Sequence, residues 1–190
     1  MCGMTGWISY QRDLRGHRQP VEAMNRTMVC RGPDDDGVWI GEHASLAHRR
    51  LSIIDIEGGR QPMVADRDGR TEAVIVYTGE VYNFRELRAQ LRSRGHEFRT
   101  NSDTEVVLRS YLEWGEAFAE RLNGMYAFAI WDERSEQLLL VRDRMGVKPL
   151  YYYPTEDGVL FGSEPKAILA HPDVPAVVDA DGLREIFSVV

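Results

Sequence analysis

Two helical patterns lie side by side in the middle of the 190-residue sequence, between groups of strand-like segments. The first begins at Asn83 as N-cap and ends at Gly95. The second begins with a capping box formed by Ser102 and Glu105 and ends at Gly115. Strands, then a helix pair, then strands again do not form a repeating βαβ unit. This order predicts an α+β fold in which helices pack on antiparallel sheets.

The strand-like segments are short runs of apolar residues bounded by glycine, proline and acidic residues. The buried strand before the helix pair, AVIVY, is expected to stop at Thr78 and Gly79. A further helix is predicted over residues 20–30 and another near residues 163–170. The strands are predicted at residues 3–10, 35–41, 44–55, 73–77, 125–132, 137–143, 149–154 and 158–163.

Composition excludes several classes of protein. A net charge of −7 argues against a surface for nucleic acid or an anionic membrane, since both require clustered lysine and arginine. The longest apolar run, MYAFAIW from Met125, is far below the roughly 20 residues of a membrane span. No signal peptide is recognisable at the start, and Cys2 and Cys30 match neither a disulfide scaffold nor a metal site. We therefore expect a cytoplasmic protein without a metal, a membrane or a nucleic acid as partner.

The last residues differ in character from the rest. Residues 172–182 are rich in proline and aspartate, and a new apolar pattern begins at REIFSVV. We expect one domain over residues 1–171, followed over residues 172–190 by a linker and the start of a second, truncated domain.

A cysteine directly after the initiator methionine is a candidate nucleophile. When Met1 is removed, Cys2 carries a thiol and a free α-amine on one residue, and the amine lies within reach of the sulfur proton. An ordinary α-amine has a pKa of about 7.7–8.0, which suits a base at neutral pH. No histidine of the sequence forms an evident triad with Cys2, and none is required. The competing interpretation is that a small second residue has no chemical role.

Four polar positions would complement such a nucleophile. Arg50 has the forked guanidinium that suits a carboxylate, and Asp103, in the first turn of a helix, can hold an ammonium group. Gly79 offers a backbone N–H to a developing oxyanion, with Glu80 beside it. An arginine and an aspartate together match the charged end of a free amino acid. Each residue alone also has a structural explanation, as an ion pair, a cap or a turn.

Eight motifs occur in the order and spacing of one known family. The sequence resembles the N-terminal glutaminase domain of glutamine-dependent asparagine synthetases, which are class II amidotransferases of the N-terminal-nucleophile hydrolase type. The resemblance extends from Cys2 to about Leu169. Its motifs are MCG (1–3), RGPD (31–34), HRRLSIID (48–55), GEVYNFRELR (79–88), SDTEVVL (102–108), LNGMYAFAIWD (122–132), RDRMGVKPLYYY (142–153) and GSEPKAIL (162–169).

The resemblance implies a four-layer αββα sandwich with Cys2 as the nucleophile. It implies that L-glutamine binds with its α-carboxylate at Arg50 and its α-ammonium at Glu80 and Asp103. It also implies a pocket lined by Leu51, Ser52, Ile53 and Ile54, and an oxyanion hole at positions 78 and 79. No cofactor is expected in this domain.

ATP and Mg²⁺ are expected in a C-terminal synthetase domain that would use the ammonia to convert aspartate to asparagine. That domain is the expected protein partner, and a homodimer is kept as a candidate. Two alternatives stay open: delivery of ammonia to a different acceptor in secondary metabolism, and a degenerate domain that only docks against its partner.

The sequence departs from the family at several positions. Thr78 replaces the asparagine whose side chain donates to the oxyanion, which predicts a slow glutaminase. Cys30 replaces a histidine and is expected to be a small buried side chain. The basic segment RDRMGVKP is interpreted as a turn in which Arg142, Arg144 and Lys148 are solvated or paired.

Overall fold

The computed structural model describes residues 1–188. Their strands form two antiparallel β-sheets that pack face to face. The first sheet has the strand order β2-β3-β1-β9-β8 and the second β4-β5-β6-β7. The strands are β1 (Gly3–Ser9), β2 (Asp35–Ile40), β3 (Ala44–Arg50), β4 (Met63–Arg67), β5 (Arg70–Val81), β6 (Gly124–Asp132), β7 (Gln137–Arg142), β8 (Tyr151–Pro154) and β9 (Gly158–Gly162).

Helices cover the outer face of each sheet. Short 3₁₀ turns occupy Leu14–Gly16 and Gly115–Arg121. The α-helices are α1 (Arg18–Arg26), α2 (Phe84–Ser93), α3 (Asp103–Trp114), α4 (Pro165–Leu169) and α5 (Ala180–Ser188). Helices α2 and α3 pack on the second sheet, and α1 and α4 on the first. The four-layer αββα sandwich is therefore confirmed.

Alternation along β5 explains the layers. Val74 and Val76 point into the core between the two sheets, whereas Ile75 and Tyr77 point towards α2 and α3. Both faces of this strand are buried in its middle, which is why its sequence is continuously apolar from Ala73 to Tyr77. Along β1, Met4 and Ile8 likewise face the inter-sheet core while Trp7 packs beneath α1 and α4.

The two predicted N-caps have different outcomes. The Ser102 hydroxyl accepts a hydrogen bond from Glu105 N (3.3 Å), as predicted for the start of α3. The reciprocal bond of the predicted capping box does not form, because the Glu105 carboxylate accepts from Thr100 N (2.7 Å) and Ser102 N donates to Thr100 Oγ1 (3.3 Å). Asn83 makes no capping bond to α2. Its side chain instead bonds Arg121 O (2.9 Å) and Asn123 N (3.0 Å), so it fastens α2 to the loop before β6. A contact with residues distant in sequence has thus replaced the predicted capping bond of Asn83.

Strand β5 is longer than predicted. It continues through Thr78 and Gly79 to Val81, because its pairing with β6 continues to Gly124. Added Cβ atoms at Gly79 and Gly124 would lie 2.2 Å from the opposite backbone, so the two glycines permit the close pairing. Strand β4 was not predicted, and Cys30 is exposed rather than buried.

The end of the chain contains the predicted new element as α5. Residues as far as Val174 still pack against the core beneath α1 and α4. A domain boundary near residue 171 stays a prediction. No helix within residues 1–188 has the length and apolar character needed to cross a bilayer.

His48 joins the two sheets through a hydrogen bond. It lies on β3 with no exposed surface, and its Nε2 is 2.9 Å from Tyr77 O on β5. A carbonyl only accepts, so Nε2 carries the ring proton. Burial lowers the pKa of His48 to about 4 from an ordinary value of 6.5, and this outweighs the bond to Tyr77.

This burial predicts a loss of stability in acid. Between pH 6.5 and pH 4 the unfolded chain binds a proton at His48 that the folded chain excludes, so the free energy of unfolding falls as pH falls. The loss should reach about 3 kcal/mol. Urea unfolding of wild type and His48→Gln from pH 7 to pH 4 measures it, since glutamine does not titrate.

His17→Gln, at an exposed position, serves as the control and should keep the wild-type dependence on pH. Parallel curves for wild type and His48→Gln would contradict the assignment.

Candidate active site

Cys2 lies immediately before β1, at the end of the gap between the two sheets. Its side chain contacts the residue that follows β3: Leu51 N donates to Sγ (3.3 Å), and Sγ donates to Leu51 O (3.5 Å). The thiol is half-buried and borders a cavity of about 130 Å³. In this structure Met1 precedes it, so the Cys2 nitrogen belongs to a peptide bond.

The carbonyl of Cys2 is held from two sides. Arg31 Nε donates to this oxygen at 2.9 Å and Thr78 Oγ1 at 3.1 Å. Arg31 is oriented by Glu164 (Nη1–Oε1 3.4 Å), at the start of α4. Thr78 lies on β5 and is almost completely buried. Cys2 is thereby connected to both sheets.

Most of the predicted site residues line this one cavity. Ser52 is the exception: it is partly buried outside the cavity lining, and its N–H bonds Asp34 Oδ2 (2.8 Å). The predicted residues that line the cavity are Cys2, Arg50, Leu51, Ile53, Ile54, Thr78, Gly79, Glu80 and Asp103.

Arg50 organises the loop beyond β3. Its Nη1 donates to Ile56 O (2.6 Å), and its Nη2 donates to Ile54 O (3.2 Å) and Asp55 O (2.6 Å). A guanidinium has five N–H groups, so Nε and one hydrogen on Nη1 are not used by these bonds. The side chain that was expected to bind a carboxylate therefore also shapes the loop that lines the cavity.

Asp103 supplies a buried negative charge. Its Oδ2 accepts from Tyr77 Oη (2.7 Å) and Val81 N (3.1 Å), and among residues 1–188 it has no ion-pair partner. Burial raises the pKa of Asp103, although these hydrogen bonds oppose the rise. Burial and the neighbouring carboxylate also raise the pKa of Tyr77, so the phenol remains a donor to Asp103. A cationic ligand would compensate this buried carboxylate.

Gly79 has a backbone conformation that other residues adopt only with strain. Its φ is +146°, and an added Cβ would lie 2.2 Å from Met125 O. This position therefore requires glycine, which leaves its backbone open to the cavity beside Thr78 and Glu80.

Sequence reasoning missed several cavity residues. Gln61 accepts from Tyr77 N through Oε1 (2.6 Å), and its Nε2 donates to Thr104 Oγ1 (3.3 Å), so it links β5 to α3. Lys148 is buried and lines the cavity, contrary to the expectation of a solvated or paired side chain. No local sequence pattern marks either residue as part of the site, because both lie in loops that are distant in sequence from Cys2.

Metal ligands do not cluster here. Within the described part of the chain, no three His, Cys, Asp or Glu side chains come together as a metal site.

Comparison with known proteins decides the family. The glutamine amidotransferase domain family matches residues 1–190. The chain belongs to this family. Asparagine synthetase [glutamine-hydrolyzing] 3 of Bacillus subtilis is 51% identical over 189 residues, covering 100% of this chain and 31% of that protein. Asparagine synthetase B [glutamine-hydrolyzing] of Escherichia coli is 39% identical over 170 residues, with 89% and 30% covered.

The amidotransferase fold also occurs among solved structures. Glutamine phosphoribosylpyrophosphate amidotransferase from B. subtilis, complexed with ADP and GMP, superposes with a TM-score of 0.70 at 18% identity. The match covers 90% of this chain and 43% of that one, and at this identity it establishes the fold alone. The chain spans about a third of the length of the asparagine synthetases that it matches.

Proposed function

We propose that this chain hydrolyses L-glutamine to glutamate and ammonia, with Cys2 as the nucleophile. The observation that carries the proposal is that two groups line one cavity. One is the half-buried thiol of Cys2, next to the backbone of Leu51, and the other is the buried carboxylate of Asp103, which has no ion-pair partner within residues 1–188. Glutamine fits both groups: its neutral side-chain amide can lie at the thiol, and its α-ammonium group can bind the carboxylate.

In the proposed complex glutamine binds through its α-ammonium and α-carboxylate groups. Asp103 and Glu80 would hold the α-ammonium, and the donors of Arg50 not used by the loop would hold the α-carboxylate. Leu51, Ile53 and Ile54 would border the substrate. Ser52, whose N–H bonds Asp34, would act only through the shape of the loop.

The proposed base is the α-amine of Cys2 after removal of Met1. It takes the Sγ proton as sulfur attacks the amide carbon, and the negative charge passes to the amide oxygen. The C–N bond then breaks, and the departing nitrogen takes the proton from the ammonium and leaves as ammonia. Water attacks the thioester, the amine accepts a proton from that water, and sulfur leaves as the thiol with release of glutamate.

The proposed oxyanion donor is Gly79 N–H. Thr78 contributes less, because a hydroxyl has one hydrogen and this one is donated to Cys2 O (3.1 Å). Thr78 would therefore hold Cys2 in place without contacting the oxyanion. This division of roles supports the expectation of a slow glutaminase.

In a longer parent protein the ammonia would serve synthesis of asparagine from aspartate. The names of the B. subtilis and E. coli relatives support this proposal, as does the part of their length that this chain covers. ATP and Mg²⁺ would bind the C-terminal synthetase domain and not this one. The protein would act in the cytoplasm, with that domain and a second copy of the chain as candidate partners.

Labelling with 6-diazo-5-oxo-L-norleucine tests the proposal. This glutamine analogue should add covalently to Cys2 in protein that lacks Met1, and intact and peptide mass spectrometry locates the adduct. Cys2→Ala should abolish the adduct and lower ammonia release from glutamine at least about 10⁴-fold. Cys30→Ala is the matched control, since it removes the other free thiol and should leave both unchanged.

A correctly processed chain without an adduct would instead support a docking domain that has lost catalysis. Transfer of nitrogen to an acceptor other than aspartate, measured on the full-length parent, would support the alternative acceptor.

Thr78→Asn should raise kcat for glutamine hydrolysis. An asparagine amide carries two hydrogens, so it can donate to Cys2 O and to the oxyanion together. A single oxyanion donor is worth about 10²–10³ in rate, and we expect a gain of about 10-fold or more. Steady-state ammonia release measures it.

Thr78→Val, of nearly the same shape, removes the hydrogen bond to Cys2 and should be slower than wild type. An unchanged or lower kcat in Thr78→Asn, with Cys2 still labelled, would show that this position does not limit oxyanion stabilisation.

A further inference from the structure

Lys148 is a charged residue of the cavity that the reaction described above does not use. It lies in the loop between β7 and β8, and only 6% of the residue is exposed. It lines the same cavity as Cys2, Glu80 and Asp103. A lysine is rarely buried to this extent without an acidic partner, so its position requires an explanation.

The ammonium group of Lys148 contacts the residue that precedes Cys2. Nζ lies 3.3 Å from Met1 Sδ, and within residues 1–188 it forms no salt bridge. A thioether sulfur is a weak acceptor and does not compensate a buried positive charge. A structural ion pair therefore does not account for the burial of this lysine.

The loop does not depend on this side chain. The backbone N–H groups of Val147 and Lys148 donate to the carboxylate of Asp143, each at 2.9 Å. Arg142 Nε donates to Lys148 O at 2.7 Å. Replacing the side chain of Lys148 leaves these bonds in place, so a variant can test its charge with the loop preserved.

The position of Met1 relates Lys148 to the reacting atoms. Five covalent bonds separate Met1 Sδ from the nitrogen of Cys2, so bond lengths place this nitrogen within about 10 Å of Nζ. Removal of Met1 turns that nitrogen into an α-amine, on a residue that lines the same cavity as Lys148. A positive charge at this range acts on a second cation most strongly where water is excluded.

We propose that the Lys148 ammonium keeps the α-amine of Cys2 in its neutral, basic form at neutral pH. The inference rests on the proposed function, since it concerns the base of that reaction. A like charge nearby disfavours the protonated amine, and a neutral amine is the form that can accept the thiol proton. Lys148 is thus a positioning residue: its charge acts on the protonation of the Cys2 α-amine, and this amine takes part in the reaction.

Other groups around Cys2 do not replace this effect. Two acidic groups, Glu80 on β5 and Asp103 on α3, favour a protonated amine and make a compensating cation necessary. Arg31 bonds Cys2 O but is paired with Glu164. Arg50 keeps its positive charge, because its three loop partners are neutral carbonyls, but in the proposed complex the α-carboxylate of glutamine balances that charge. The titratable and charged side chains that face Cys2 are Arg31, Arg50, Tyr77, Glu80, Asp103 and Lys148.

The test compares Lys148→Met, which keeps the aliphatic length, with Lys148→Arg, which keeps the charge. In Lys148→Met the acidic limb of the kcat/KM profile for glutamine should move up by about 0.5–1 pH unit. At pH 6.5 kcat/KM should fall about 3- to 10-fold, and at pH 9 it should stay within about twofold of wild type. Lys148→Arg should keep the wild-type profile. Intact mass must show that Met1 is absent from all three proteins.

An unmoved acidic limb in Lys148→Met, or an equal loss of rate at every pH, would overturn the inference. A second measurement needs no turnover: acetylation of the α-amine by acetic anhydride as a function of pH, in Cys2→Ala and in Cys2→Ala with Lys148→Met. The half-point should rise by the same 0.5–1 pH unit in the double variant. If wild type releases no ammonia, the proposed function fails, while the acetylation curves still decide the role of Lys148.

Discussion

The carbonyl oxygen of Cys2 accepts hydrogen bonds from Arg31 and from Thr78, and the geometry of the cavity depends on this double anchor. Thr78 belongs to the second sheet, whereas Cys2 leads into the first. The buried His48 adds a second link between the same two sheets, to the backbone of Tyr77 directly before Thr78. The thiol is thereby held at one end of the sandwich although the residues that hold it lie far apart in the chain.

The cavity lining carries charges of both signs, which suits the small zwitterion proposed as substrate. The carboxylates of Glu80 and Asp103 share the cavity lining with Arg50, which spends three hydrogen bonds on the loop beyond β3. Lys148 adds a charge to the same lining and contacts Met1, the residue before Cys2. In the proposed mechanism one group of charges binds the substrate, and Lys148 controls the protonation of the base.

Local chemistry in the sequence predicted much of the fold. The Ser102 cap and the apolar runs of β5 and β6 form as expected, because each depends on neighbours a few residues away. Asn83 and the end of β5 differ because a partner strand or loop overrides the local preference. The roles of Cys2, Arg50 and Asp103 were predicted from residue chemistry, whereas the lining by residues 51–54 was predicted only from the resemblance to a family. The place of Lys148 was not predicted, since its contact with Met1 joins residues 147 apart.

The free α-amine of Cys2 is the central element of the proposed mechanism, and its most direct test compares two forms of one chain. In the first, a specific protease releases the protein with Cys2 as its first residue. In the second, a single glycine precedes Cys2 and blocks the amine while leaving the thiol. Only the first form should release ammonia from glutamine, because only there is the α-amine free to accept the thiol proton. Equal rates in the two forms would contradict this role of the amine.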